Sequence, residues 1–443
     1  MDAFYSWPWV EAQVASTVEA WQSCAAARLP EGRRFSREEQ RVRERAYDAA
    51  RDEVEREAKR ARRGAMRKWR GGFQRGDAQA KITAAFARFA ATALDLDEGA
   101  IALLTEDFLP VGTGLARWAR QFDPGLSMAD IIQAARNAWT ACGLQPLLGQ
   151  PVRLTPSILG YSLLYPYSDN FLDGEQPDAA KLRFSDRFRE RLRGEAPGAR
   201  DEREAAVWAL VGLVEQEYPR AEFAQVYASL LAIHRAQERS LRQVRCGADC
   251  PAEDLLRVSC AKGGTSVLAD ACLAQPRLTE AERRFSFDWG VLLQLGDDLQ
   301  DVGEDSERGS MTLFSRAAAR RERLDALTIQ LLTFAERVGG QMEALPHGTA
   351  VLKGLLRMSW RSLILMAVAE AHEHFSAAFL RGAEERSPFR FGFLRERREK
   401  LAGRRGLYAT LFELFVAYGE EAGGDPAALP VAEERTALAA DVA

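Results

Sequence analysis

Residues 292–305 read LLQLGDDLQDVGED, an apolar run followed directly by five carboxylates in nine positions: Asp297, Asp298, Asp301, Glu304 and Asp305. Asp297, Asp301 and Asp305 are four apart, so a helix stacks them along one face. Such a face repels itself. Each like-charged i,i+4 pair costs roughly 0.2–0.5 kcal/mol, and acids near a helix C-terminus oppose the macrodipole. A local rule broken this densely marks a functional site where another group supplies positive charge. Oxygen-only ligands favour a hard divalent cation, Mg2+ or Ca2+, over zinc or copper.

A second acidic pair lies upstream, where residues 161–175 read YSLLYPYSDNFLDGE. Asp169 and Asp173 are again four apart, with Asn170 between them and Glu175 just beyond. Pro166 removes one backbone hydrogen bond and predicts a kink or restart just before the acids. Tyr161, Leu163, Leu164, Tyr165 and Tyr167 precede the pair. The chain thus holds two apolar helices that each end in a carboxylate ladder. Facing one another, they would hold metal ions at the mouth of an apolar cavity. The bland alternative, a solvated helix end, fits either ladder alone better than it fits both together.

Elsewhere the pattern is helical almost throughout. Ala, Arg, Leu and Glu dominate, and alternating β-branched runs and Asn-Gly hairpins are absent, so the expected class is all-α. Ser36 with Glu39 predicts a capping box opening a highly charged helix that Gly71 and Gly72 end. A turn is expected at Phe122–Gly125, and Thr155-Pro156 reads as an N-cap followed by a first-turn proline. The stretch SPFRFGFLRERREK, from Ser387, reads as membrane-facing, partner-facing or core, and the sequence does not choose.

A net charge of −4 over 443 residues gives no reason to expect nucleic-acid binding. No apolar run approaches the length of a membrane span, and MDAFYSWPWV lacks the basic start of a signal peptide, so a cytoplasmic chain without stable membrane insertion is expected. The six cysteines are too sparse for a disulfide framework and suit a reducing compartment. Cys246 and Cys250, taken with His234, lack zinc-site spacing and read as ordinary buried thiols.

These motifs resemble the class I isoprenoid synthases, the superfamily of trans-prenyltransferases and class I terpene synthases. GDDLQDVGED is similar to its second aspartate-rich motif, and DNFLD to a variant of the first with Asn170 where a second Asp is common. AKGGTSVLADACL, from Ala261, is similar to the segment whose lysine binds diphosphate, which points to Lys262. AQERSL, from Ala236, is similar to a Gln-x-x-Asp segment, with Gln237 kept and Ser240 in place of the acid. The likeness spans roughly residues 130–315. It implies a class I terpenoid-synthase-like helical bundle around a central active-site cavity. Flanking helices would occupy 1–95, the core 96–385, and a C-terminal helix with a frayed tail 386–443.

The resemblance implies Mg2+, three ions in number with Mn2+ as a substitute, held by Asp169, Asp173, Asp297, Asp298, Asp301 and Asp305. Lys262, Arg308 and Gln237 would meet the diphosphate, and Tyr165, Phe171, Phe285, Trp289 and Ser266 are candidates for the cavity wall. Asp169, Asp173, Asp297, Asp301 and Lys262 would form the catalytic set. The Gly-Lys-Arg site and Arg-Arg pair of chain-elongating enzymes are missing, which favours a terpene synthase that ionises one prenyl diphosphate to a carbocation and releases a hydrocarbon or alcohol. The alternatives are a prenyl diphosphate synthase, a head-to-head synthase of the squalene or phytoene type, and a non-catalytic helical subunit. Homodimer assembly is left open.

Overall fold

The computed structural model describes residues 5–66, 75–174, 177–241 and 249–402; within these spans it describes the backbone alone at 61–66, 75–79, 169, 173, 178 and 401–402. Among the described residues every regular element is helical and no strand occurs. The first third comprises α1 (Trp7–Ser23), α2 (Arg37–Met66), α3 (Arg75–Leu94), α4 (Glu98–Ala102), a π turn at Leu103–Phe108, α5 (Leu109–Phe122) and α6 (Met128–Leu147). The middle follows with α7 (Pro156–Asp173), α8 (Asp178–Arg193), α9 (Glu202–Glu217), α10 (Ala224–Ser240), α11 (Ala252–Ala274), α12 (Glu280–Gln300) and α13 (Val302–Arg308). The last part contains α14 (Leu313–Ala319), α15 (Asp325–Glu343), α16 (Ala350–Glu370), α17 (Ala377–Glu384) and α18 (Phe391–Ala402).

Local chemistry explains the helix starts. Ser36 and Glu39 exchange the expected capping-box bonds ahead of α2. Thr155 caps α7 with Pro156 in its first turn, and Thr279 with Glu282 boxes the start of α12. The turn at Phe122–Gly125 forms as expected, with the Gly125 N–H donating to Asp123 Oδ1 at 2.8 Å. Gly71 and Gly72, and the tail beyond residue 402, lie outside the described residues.

Two apolar cores meet around the centre. One joins residues of α1, α11, α12, α15 and α16, including Trp21, Phe285, Phe287 and Phe334. The other joins α5, α6, α7, α9 and α10, including Leu115, Ile131, Leu159 and Val211. Helix α1 is therefore built into the main core rather than resting on it. Helices α11 and α12 touch backbone to backbone. A Cβ on Gly263 would lie 2.4 Å from the Gly290 carbonyl oxygen, and one on Gly290 would lie 2.0 Å from the Gly263 oxygen. Only glycine permits that approach, and it sets Lys262 of α11 beside the acidic end of α12.

Three details differ from the sequence reading or settle it. Helix α7 runs unbroken through Pro166. Packing against α6, α9 and α11 supports it past the lost hydrogen bond. Cys250 is disulfide-bonded, whereas Cys24, Cys142, Cys260 and Cys272 are free and buried. The aromatic stretch around α18 is core: Phe389 and Phe393 are buried against Tyr47, Phe89 and Ala93 of α2 and α3. No helix among the described residues is long and apolar enough to cross a membrane.

Candidate functional site

A cavity of about 1150 Å³ opens between the two cores, bounded by α3, α6, α7, α10, α11, α12 and α16. Most of its wall is apolar or aromatic, and one end is charged. Asp297 and Asp301 of α12, Lys262 of α11 and Arg136 of α6 all border it.

The acidic ladder forms, with a bend. Helix α12 stops at Asp301, yet the Asp301 N–H donates to the Asp297 carbonyl and the Asp305 N–H to the Asp301 carbonyl, each at 2.8 Å. The i,i+4 stacking therefore continues into α13. An Arg136 Nη atom lies 3.2 Å from Asp297 Oδ1. About half of the Asp297 side chain is accessible, but it borders a cavity walled by protein. Desolvation accordingly pushes its pKa up, and Arg136 and Lys262 pull it back. At Asp301 desolvation raises the pKa, reinforced by Asp297 and Glu304. At Asp305 desolvation and then the charges of Asp298, Asp301 and Glu304 raise it to about 7. Perturbed acids clustered at a cavity are a signature of functional sites.

The expected site residues separate into two groups. Asp297, Asp301, Lys262, Gln237, Tyr165, Trp289 and Ser266 border the cavity. The others lie elsewhere. Asp298 is buried in the α11–α12 seam, accepting from Ser259 Oγ at 2.7 Å and from Gln294 Nε2 at 2.8 Å, so its oxygens are already occupied. Arg308 is exposed and pairs with Glu304 one turn back rather than reaching toward the cavity. Phe171 lies under the Arg203 guanidinium, 3.4 Å from the ring centroid, and Phe285 is fully buried in the core beside Trp289. Asp305 follows the ladder without being part of the cavity wall. The side chains of Asp169 and Asp173 lie outside the described residues; their backbone forms the last turn of α7, whose Tyr165, Ser168 and Leu172 border the cavity.

Among the described side chains no group of three His, Cys, Asp or Glu residues converges on a metal position. Asp297 and Asp301 nevertheless supply the oxygen-only chemistry that suits Mg2+, and desolvation holds both carboxyls above their ordinary range.

Sequence reasoning missed several wall residues. Arg136 lies in the Ala-rich α6, where nothing in the local pattern separates it from a surface arginine. Asp270 is a lone acid in an apolar stretch of α11, which is a legible signal. It is 1% exposed, and its Oδ1 accepts from Asn137 Nδ2 at 3.1 Å. His234, set aside above as a zinc ligand, also borders the cavity; its Nε2 lies 3.0 Å from the Ser185 carbonyl oxygen.

No protein-family model matches the chain, and neither a curated protein nor a solved structure does. The likeness to class I isoprenoid synthases therefore rests on the motifs, and the functional reading on those motifs and the cavity.

Proposed function

We propose that the protein is a Mg2+-dependent class I terpene synthase that takes a linear allylic prenyl diphosphate into the central cavity and releases diphosphate. The observation that carries this reading is the cavity itself: an apolar space of about 1150 Å³ with two carboxylates, a lysine and an arginine gathered at one end. A greasy chain with a polyanionic head has that same division.

Asp297 and Asp301, with Asp169 and Asp173 of α7, are the residues that would hold Mg2+. When bound, the metal neutralises the head group and acts as a Lewis acid on the leaving oxygen. Lys262 presents a point charge to the diphosphate, and Arg136 a planar fork suited to two of its oxygens. Arg136 takes the role that the sequence reading gave Arg308. The aromatic wall serves the carbocation left on the chain. Trp289 and Trp360 pack 5.5 Å apart, and both border the cavity with Tyr161 and Tyr165. Each ring facing a desolvated cation contributes about 0.5–2 kcal/mol. The apolar residues between them keep water from the cation.

The Arg136–Asp297 ion pair favours one second reading, a non-catalytic lipid-binding relative in which the arginine stands in for the metal. Incubating the purified chain with Mg2+ and allylic diphosphates of increasing length, with and without isopentenyl diphosphate, separates these possibilities. A hydrocarbon or alcohol formed from one allylic substrate alone supports the synthase. Longer diphosphates formed only with isopentenyl diphosphate identify an elongating enzyme, and prenyl-chain binding without diphosphate release identifies the silent relative.

A further inference from the structure

His234 of α10 borders the cavity one helical turn before Gln237, among the apolar wall residues Leu230, Ile233, Phe188 and Leu192. The Phe188 ring stands edge-on to the imidazole, with centroids 5.0 Å apart. Two oxygens hold the Nε2 atom. The Ser185 carbonyl oxygen lies 3.0 Å away and Ser185 Oγ 3.2 Å away. The carbonyl can only accept. Ser185 Oγ spends its single proton on Glu238, so toward the ring it too can only accept. Nε2 therefore carries the hydrogen, and in the neutral ring Nδ1 keeps a bare lone pair. Nδ1 has no hydrogen-bond partner among the described residues, and it is not one of their sealed atoms. The residue is 5% exposed and borders the cavity, so that lone pair is open to a molecule inside.

Burial lowers the pKa of the ring, against the pull of the Glu238 carboxylate and the Ser185 carbonyl; Arg189 adds to the drop and Asp186 opposes it. The resting ring is accordingly neutral. Away from the charged end, Asp270 is the other acid or imidazole on the described wall. Its Oδ1 is taken by the Asn137 N–H and its Oδ2 is sealed, so it offers the cavity no free lone pair.

We propose that His234 is the base that ends the reaction, its Nδ1 removing a proton from the carbon beside the cationic centre so that the product is an olefin rather than an alcohol. This role rests on the reading of the cavity as the place where an allylic cation forms. Diphosphate departs with the bonding electron pair and leaves that cation. The pair of the broken C–H bond then becomes the new C=C bond, the chain is neutralised, and the ring becomes imidazolium. Glu238 offsets the new charge: its carboxylate lies 3.7 Å from Nε2 and is held in place by Ser185 Oγ and Arg189. The apolar wall keeps water, the competing quencher, from the cation. Once the product leaves, water entering the cavity takes the proton from Nδ1 and restores the starting tautomer.

The full chain is used throughout. In metal-free solution at neutral pH, the ring-nitrogen NMR signals of His234, picked out from the four histidines by their loss in His234→Gln, should report a neutral ring with hydrogen on Nε2. A charged ring, or hydrogen on Nδ1, would overturn the proposal without reference to turnover. Glu238→Gln should lower the pKa of that ring, since the carboxylate supports its charged form; an unmoved pKa would overturn the part given to Glu238. With Mg2+ and an allylic diphosphate, wild type should form mainly hydrocarbon. His234→Gln should still release diphosphate, though more slowly, and its ratio of hydrocarbon to alcohol should fall by about a hundredfold, the lower end of what a positioned base contributes. An alcohol as the wild-type product, or an unchanged ratio in His234→Gln, would overturn the proposal and leave the synthase reading in place. No diphosphate release by wild type would remove the synthase reading and this role with it, so the two failures are told apart. Should His234→Gln fail to fold, the wild-type signals, assigned through Glu238→Gln, and the product ratio of Glu238→Gln, expected to fall by less, decide.

Discussion

Asp298 allows folding and chemistry to be separated by one substitution. Burial, offset by the hydrogen bonds from Ser259 and Gln294, raises its pKa from an ordinary 3.8 to about 6. The folded protein therefore holds this proton more tightly than the unfolded chain does. The resulting stabilisation is fully present below about pH 4 and is lost as pH rises through about 6. A rise of about two pH units, at about 1.4 kcal/mol each, makes the loss roughly 3 kcal/mol between acid and mildly alkaline solution. Asp298→Asn cannot ionise there. Its amide still faces Gln294, and the Ser259 hydroxyl can turn to accept. In metal-free buffer, urea unfolding from about pH 4 to about pH 8 should show wild type losing roughly 3 kcal/mol more than the variant. The difference between the two profiles reads Asp298 together with its coupling to Asp297 and Asp305. Parallel pH profiles for wild type and variant would refute the reasoning. Under the proposed function Asp298→Asn should retain most of its turnover, because its oxygens serve the α11–α12 seam.

Asp297→Ala or Asp301→Ala should abolish Mg2+-dependent diphosphate release while leaving the metal-free fold intact or slightly more stable, since each relieves like-charge repulsion; melting of either variant below wild type without metal would count against a metal-site role. Arg136→Ala should cut diphosphate release by about two orders of magnitude, as removal of a group stabilising developing negative charge does, and Arg136→Lys by less; unchanged steady-state rates would return the arginine to a surface role. Added Mg2+ should raise the melting temperature more at neutral pH than in acid, because Asp297 and Asp301, whose carboxyls are held above their ordinary range, bind a metal only after losing protons; a pH-independent shift in scanning calorimetry would contradict this.

The helical class was legible because almost every segment repeats at helical spacing and the caps announce themselves, as at Ser36, Thr155 and Thr279. The acids of α12 were legible because they break a local rule. What was not legible depends on which way a side chain turns. Asp297 and Asp298 are neighbours in the same motif, yet a helix rotates consecutive residues by about 100°. One therefore borders the cavity while the other is spent on Ser259 and Gln294. Phe171 and Phe285 failed as wall residues for the same reason: proximity in sequence to the acids does not choose the helix face. Arg308 lies away from the cavity, paired with Glu304 one turn back. Arg136 was invisible because it reaches Asp297 from 161 positions away, and no local pattern encodes such a pairing.

That distant pairing also bears on the question the acidic ladder raises, namely what balances its charge. Arg136, Lys262 and Arg398 contribute, the last of them acting on Asp301. Arg136 lies against Asp297, and the field of Lys262 lowers the pKa values of Asp297, Asp298 and Asp305. They do not suffice, for every one of those acids, and Asp301 with them, stays raised above its ordinary value. A chain selected only for stability would reach a better balance by replacing Asp301 or Asp305 with a neutral helix former. Retaining both leaves a deficit of positive charge at one end of an apolar cavity. Under the proposed function a hard cation bound with a diphosphate would offset that deficit and would leave Arg136 available to the head group, so the cost of the clustered acids and the binding of the substrate would be two sides of one electrostatic arrangement.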